Sequence, residues 1–177
     1  MGRIAGFCVT AALIVAFLDV GNAGADSMSL YLQGHGGEDS SVGETVGGEA
    51  GLTLLAFNIY VGYDNYLSHG SVLRAVAGFG SDTSFGGWRL SGRLGAGVMF
   101  EKGGVFGDMN LSADRSGLVG RAGLSLDRRI SGGLLFGIGV EGEYFALKTT
   151  DDSLVDTSVH TGADILGSLR LRFEIGI

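Results

Sequence analysis

Residues 88–100 read Trp88-Arg89-Leu90-Ser91-Gly92-Arg93-Leu94-Gly95-Ala96-Gly97-Val98-Met99-Phe100. The even positions are Trp88, Leu90, Gly92, Leu94, Ala96, Val98 and Phe100, and the odd ones are Arg89, Ser91, Arg93, Gly95, Gly97 and Met99. Successive side chains of a β-strand point to opposite faces, so this period of two gives one apolar face and one polar or small face. Glu101-Lys102-Gly103-Gly104 follows as a tight turn. Beyond it Val105, Gly107, Met109 and Leu111 alternate with Phe106, Asp108, Asn110 and Ser112, which predicts a hairpin.

The same alternation extends in both directions. Leu118, Gly120, Ala122, Leu124 and Leu126 oppose Arg121, Ser125 and Asp127, and Leu134, Phe136, Ile138, Val140, Gly142 and Tyr144 oppose Gly137, Gly139, Glu141 and Glu143. In the last run Val159, Ala163, Ile165, Gly167, Leu169, Leu171, Phe173, Ile175 and Ile177 oppose His160, Asp164, Ser168, Arg170 and Arg172. Toward the N-terminus the stripes are Met28, Leu30 and Leu32, then Leu55, Phe57, Ile59, Val61 and Tyr63, then Leu73, Ala75, Ala77 and Phe79. After Asp26 no window shows helical spacing over ten or more residues. The pattern predicts eight strands, at 27–35, 51–64, 71–80, 87–101, 104–114, 117–128, 133–148 and 158–176. An even count puts both termini at one end. Outer loops are then expected at 34–50, 81–86, 114–116 and 149–157, rich in acids, with Arg128 and Arg129 in a turn at the opposite end.

One domain fits 177 residues, and no linker divides them. With 34 Gly and no Pro, a loop-rich or disordered chain is excluded, because the glycines lie inside apolar runs. A net charge of -7 offers no footprint for nucleic acid. The single cysteine, Cys8, leaves the rest of the chain without disulfide or thiolate chemistry.

Cys8 lies in a segment of its own. Arg3, the apolar run from Ile4 to Leu18, and Ala23-Gly24-Ala25 have the layout of a secretory signal, so residues 1–25 are expected to be removed before Asp26, with cleavage after Ala23 as the alternative. Residues 26–177 then form the folded domain. An alternating chain suits a soluble barrel as well as a membrane one. The polar face decides between them: it joins Gly and Ser to Arg74, Arg89, Arg93, Arg121, Asp108, Glu141, Glu143 and Asp164 and carries no Lys, unlike a water-facing surface. Eight strands enclose just enough room for side chains, so small residues and paired charges fit inside while the apolar face meets lipid. Tyr60, Tyr63, Tyr66, Trp88, Phe100 and Tyr144 are candidates for the aromatic girdles. The expected fold class is all-β, a closed antiparallel up-and-down transmembrane β-barrel.

The runs GRAGLSLDRRISGGLLFGIGVEGEYFAL (120–147) and ADILGSLRLRF (163–173) resemble the small outer-membrane β-barrel superfamily of OmpA-like and opacity-type proteins. The resemblance covers mainly the C-terminal third. It implies residence in a Gram-negative outer membrane, contact with its lipid and lipopolysaccharide, and handling by the barrel-assembly machinery. That machinery recognises a terminal aromatic, whereas here Phe173 is followed by Glu174-Ile175-Gly176-Ile177.

Chemistry-bearing residues are few. Ser158, His160 and Asp164 share one face of the last strand, but parity turns them inward, away from an acyl chain. Asp151, Asp152 and Asp156, or His35 with Glu38 and Asp39, offer oxygen and nitrogen ligands without the spacing of an EF-hand loop. Neither set is assigned as a site, and no catalytic, cofactor or metal residue is expected. Gly92-Arg93-Leu94-Gly95-Ala96-Gly97 echoes a nucleotide-binding loop, yet no helix follows it. The leading reading is a non-enzymatic barrel, structural or interacting through its loops. A narrow pore and a lipid A-modifying enzyme are the alternatives. Arg93 is expected to pair with Glu141 or Glu143. The face assignment is tested on neighbours: Leu94→Arg puts a charge into lipid and should weaken refolding by about 2 to 4 kcal/mol, whereas Arg93→Leu should leave lipid contacts intact and cost only what its unpaired acidic partner loses. Equal tolerance of both in a lipid-refolding titration defeats the assignment.

Overall fold

The computed structural model describes residues 28–67, 69–103, 105, 114–149 and 159–176. They form β1 (Met28–Asp39), β2 (Gly43–Leu54), β3 (Phe57–Tyr66), β4 (Gly70–Phe85), β5 (Trp88–Lys102), β6 (Arg115–Ser131), β7 (Leu134–Thr149) and β8 (Val159–Gly176). Each strand pairs antiparallel with the next, and β1 pairs with β8 from Ser29↔Gly176 to Asp39↔Leu166, so the barrel closes with no free edge.

Parity follows the alternation read from the sequence. Leu30, Leu32, Ile59, Val61, Phe79, Val98, Leu118, Ile138, Leu169 and Phe173 all lie exposed on the outer wall. Arg74, Arg121, Glu49, Asp64, Asp127, Glu141 and Asp164 are buried inside. The barrel is thus apolar outside and charged within, the reverse of a soluble protein.

The end where β1 begins and β8 finishes, called the termini end below, has three two-residue turns, at 55–56, 86–87 and 132–133. Gly86 and Gly87 take φ of 54° and 82°, the left-handed pair that matches the twist of a hairpin. Leu55 does the same work with φ 54°, the one non-glycine at positive φ among the described residues. The connections at the other end span 40–42, 67–69, 103–114 and 150–158.

Eight strands are found, but not the same eight. Residues 34–50, expected as an outer loop, are mostly strand: β1 runs to Asp39 and β2 begins at Gly43. The expected strand 51–64 is cut by the turn at 55–56. Of the expected strand 104–114, only Val105 and Asp114 are described, and neither is in a strand. β5 pairs instead with β6, from Trp88↔Arg128 to Glu101↔Arg115, so the hairpin predicted with 105–112 is not formed. One strand missed early and one added later preserve the count while inverting the stretch between them. Residues 81–86, expected as an outer loop, therefore lie in β4 and a turn at the termini end. Residues 114–116 mostly begin β6. The segment 1–25, residues 149–157 apart from Thr149, and Ile177 lie outside the described residues.

Glycines on the inner wall make room for large neighbours. Gly51 is paired with Tyr31 and Gly162 with Phe145, each ring lying over the spot where the glycine lacks a side chain. A Cβ on Gly162 would come within 2.5 Å of the Phe145 ring. Gly162→Val should therefore destabilise the barrel by about 1 to 3 kcal/mol, and the loss should be much smaller in a Phe145→Ala background. Additive losses in a double-mutant cycle of urea unfolding would refute the packing argument.

Candidate functional site

Among the described residues, chemically active side chains converge on the inner face, and strand order decides which of them meet. Arg93 on β5 reaches across the lumen to Glu49 on β2, with Nη2 3.0 Å from Oε2, and also donates to Glu141 on β7. Arg121 on β6 donates to Glu141 and lies 3.7 Å from both Glu49 and Glu143. Beneath these guanidinium groups sits the Tyr60 ring, with its centroid 4.8 Å from Arg93 and 5.8 Å from Arg121, a cation–π arrangement. Two arginines, two glutamates and one ring thus span the middle of the barrel.

A second group joins this one toward the outer end. Arg74 donates to Asp64, to Glu143 at 2.8 Å and to the Tyr66 hydroxyl at 3.1 Å. Asp64 also holds His35 Nε2 at 2.6 Å. Buried Val72, Met99, Val119, Phe145 and Leu147 fill the space around these residues. Toward the termini end Arg170 donates to Gln33 at 2.6 Å and approaches Asp127 at 3.4 Å. Arg172 lies 4.0 Å over the Tyr31 ring, and Arg89 joins Glu174 at 2.5 Å as well as Asp82.

Burying an unpaired charge is costly, so each inward arginine requires an acid or a ring within reach. The short guanidinium–carboxylate contacts tie walls that share no backbone ladder: β5 to β2, β4 to β7, and β5 to β8. They both fill the lumen and cross-brace it.

The candidate residues fall into place accordingly. Arg93 does pair with Glu141, as expected, but its second partner Glu49 was missed, because 34–50 was read as loop. Tyr60 and Tyr66, proposed as girdle residues, are buried in the lumen at 5% and 1% exposure, since β3 turns its even positions inward. Tyr63, Trp88, Phe100 and Tyr144 do face outward. His35, Glu38 and Asp39 do not converge: Glu38 points outward, His35 binds Asp64, and Asp39 accepts the Ser41 and Val42 amides at 3.0 and 3.1 Å. Asp164 accepts the Ser40 and Ser41 hydroxyls at 2.5 and 3.0 Å, so its carboxylate clasps the β1–β2 turn. Ser158, Asp151, Asp152 and Asp156 lie outside the described residues. Among the described residues no group of three or more His, Cys, Asp or Glu side chains is arranged to hold a metal ion.

No protein-family model matches the sequence, and no curated protein does. Solved structures do resemble the fold. The N-terminal β-barrel domain of Pseudomonas aeruginosa OprF matches with a TM-score of 0.57 at 15% identity, over 83% of this chain and 97% of that one. Neisserial surface protein A (NspA) matches with a TM-score of 0.52 at 12% identity, over 87% of this chain and 99% of that one. At such identities the likeness establishes the barrel fold.

The ion-pair network makes its own prediction. Arg93→Leu leaves Glu49 and Glu141 facing each other with only Arg121 between them, and should cost about 3 to 5 kcal/mol. Arg93→Leu with Glu49→Leu removes one charge of each sign and should regain most of that loss. A double variant as unstable as the single one in denaturant titration would rule out the cross-lumen pairing as the cause.

Proposed function

We propose that this chain is an outer-membrane barrel with a closed lumen, without a catalytic centre of its own, which serves as a rigid anchor for its outer connections. The observation that carries this reading is Arg93 held between Glu49 of β2 and Glu141 of β7. A wet path through so small a barrel would have to pass the same cross-section, where Arg121 and Tyr60 are already packed.

The membrane address is supported by the exposed belt of Leu, Ile, Val and Phe that encircles the wall, which in water would be an aggregation surface. Short turns beside the termini and longer connections opposite match the periplasmic and outer ends of such barrels. Against a lipid-modifying enzyme stands the employment of Asp164 by Ser40 and Ser41 rather than by an activated nucleophile.

Two measurements test the proposal. The protein should be recovered in outer-membrane fractions and migrate on gels as a band that shifts on boiling, since a closed barrel resists detergent until heated; recovery in the periplasmic soluble fraction would overturn the address. In planar bilayers it should give no steady ohmic conductance. Discrete steps of constant size in the wild type, altered by substitution of Arg93, Glu49 or Glu141, would overturn the closed-lumen reading in favour of a pore.

A further inference from the structure

Two acids of the inner wall stand apart from the ion-pair network. Every other inward acid among the described residues has an arginine within 4.0 Å, from Glu49 and Asp64 to Asp127 and Glu174. Asp39 and Asp164 are 4% and 3% exposed and have none among the described residues. Closure brings them together: Asp39, at the end of β1, is paired with Leu166 of β8, and Asp164 lies two residues farther along β8 on the same face. Their carboxyl groups meet within hydrogen-bonding range.

Both acids hold the same turn, residues 40–42 between β1 and β2. Asp39 accepts the Ser41 and Val42 amides, and Asp164 accepts the Ser40 hydroxyl. The Ser41 hydroxyl lies between them, 3.3 Å from Asp39 Oδ1 and 3.0 Å from Asp164 Oδ2. The Ser40 amide donates to the Ile165 carbonyl at 2.9 Å, which carries the β1–β8 ladder into the turn. Val42 is thereby buried in one apolar cluster with Tyr66 and Val72 at the outer mouth of the lumen.

One hydroxyl proton cannot serve two carboxylates, and two negative charges at this range in a dry site resist being ionised together. The neighbouring strands bring little relief. From β3 the Tyr66 hydroxyl reaches Asp39 Oδ2 only at 3.4 Å, and Arg74 of β4, which donates to that hydroxyl, is already held by Asp64 and Glu143. Across the β7–β8 ladder from Asp164 stands Glu143, a further acid. On β1 His35 is engaged with Asp64, on β8 His160 lies four residues from Asp164 on the same face, and on β2 Gly43 and Thr45 carry no charge while Glu44 faces outward. At this level the outer wall is already polar, with Glu38 and Glu44 above the last apolar row Leu169↔Gly36↔Val46. Burial, and then the hydrogen bond to Asp164, push the Asp39 carboxyl up to about 7.

We infer that Asp39 and Asp164 share one proton and form a pH-operated latch on the β1–β2 turn. With the proton in place the turn is held down on β8 and Val42 covers the outer mouth; without it the two carboxylates repel and the turn lifts. The folded carboxyl lies above its unfolded value, so the latch contributes fully below about pH 4 and is lost as the pH rises through about 7. This goes beyond the anchoring role, because it makes one outer connection respond to the medium while the cross-braced wall stays fixed.

The test uses protein expressed from the full chain and folded in detergent micelles, with aspartate carboxyl carbons and backbone amides followed by NMR from about pH 5 to 9. The Asp39 carboxyl should titrate near pH 7. Over the same step the Ser41 and Val42 amides, corrected for the intrinsic pH dependence of exchange, should lose protection by about tenfold or more. Asp39→Asn keeps an acceptor for the turn amides and offers Asp164 an NH in place of the shared proton, so protection should stay at its acid value throughout. His160→Gln should leave the step where it is. An Asp39 carboxyl that ionises near its ordinary value, or turn amides indifferent to pH, would overturn the latch. So would a step that survives in Asp39→Asn or vanishes in His160→Gln. The wild-type titration decides the matter even if a variant does not fold.

Discussion

A guanidinium buried in a space of low dielectric must be met by a carboxylate or an aromatic face, and the interior of this barrel is organised around that requirement. Arg74, Arg93, Arg121 and Arg170 point inward from β4, β5, β6 and β8, and Glu49, Asp64, Asp127, Glu141 and Glu143 answer them from β2, β3, β6 and β7. The pairs are not decoration on a finished wall. A closed eight-stranded sheet leaves a core too narrow for water to solvate such charges, so they solvate one another. Filling the lumen and satisfying the charges are therefore one event.

Space for the network comes from residues without side chains. Gly123 lies beside Glu141 and Arg93, and Gly139 beside Arg170, where a Cβ would press on the ion pairs. The high glycine content is thereby reconciled with long unbroken strands, in which glycine is ordinarily unfavourable. Outside, the same strands carry large apolar groups on alternate positions, because lipid accepts them without packing constraints. The two faces answer to different media, and a one-residue slip of any strand would expose charges to lipid.

Arginine and lysine are sorted by the same logic. Arginine's planar fork can satisfy two carboxylates at once and tolerates burial, as Arg93 does between Glu49 and Glu141. Lysine, more strongly hydrated, is kept at the outward rim on β5 and β7. Arginine also serves outside the lumen, where exposed Arg128 lies over the ring of Trp88.

The sequence by itself determined the class of fold, the closed even-stranded barrel and the face of most residues, because side-chain parity is a local property that survives errors in pairing. The stripe Leu134 to Tyr144 and the run Trp88 to Phe100 could be assigned to the outer wall from alternation alone. It did not determine which strands meet. Leu55-Ala56 turns the chain without Gly, Asn or Asp, so nothing in the composition marked that corner. Residues 34–50 lacked an apolar stripe and read as loop, although β1 and β2 run through most of them with His35, Asp39, Thr45 and Glu49 facing inward. Only the tertiary structure decided that Glu49 meets Arg93 and that Asp164 clasps the β1–β2 turn rather than serving His160. Those contacts depend on closure, which brings together strands far apart in the chain, and closure leaves no periodic trace in the residues it joins.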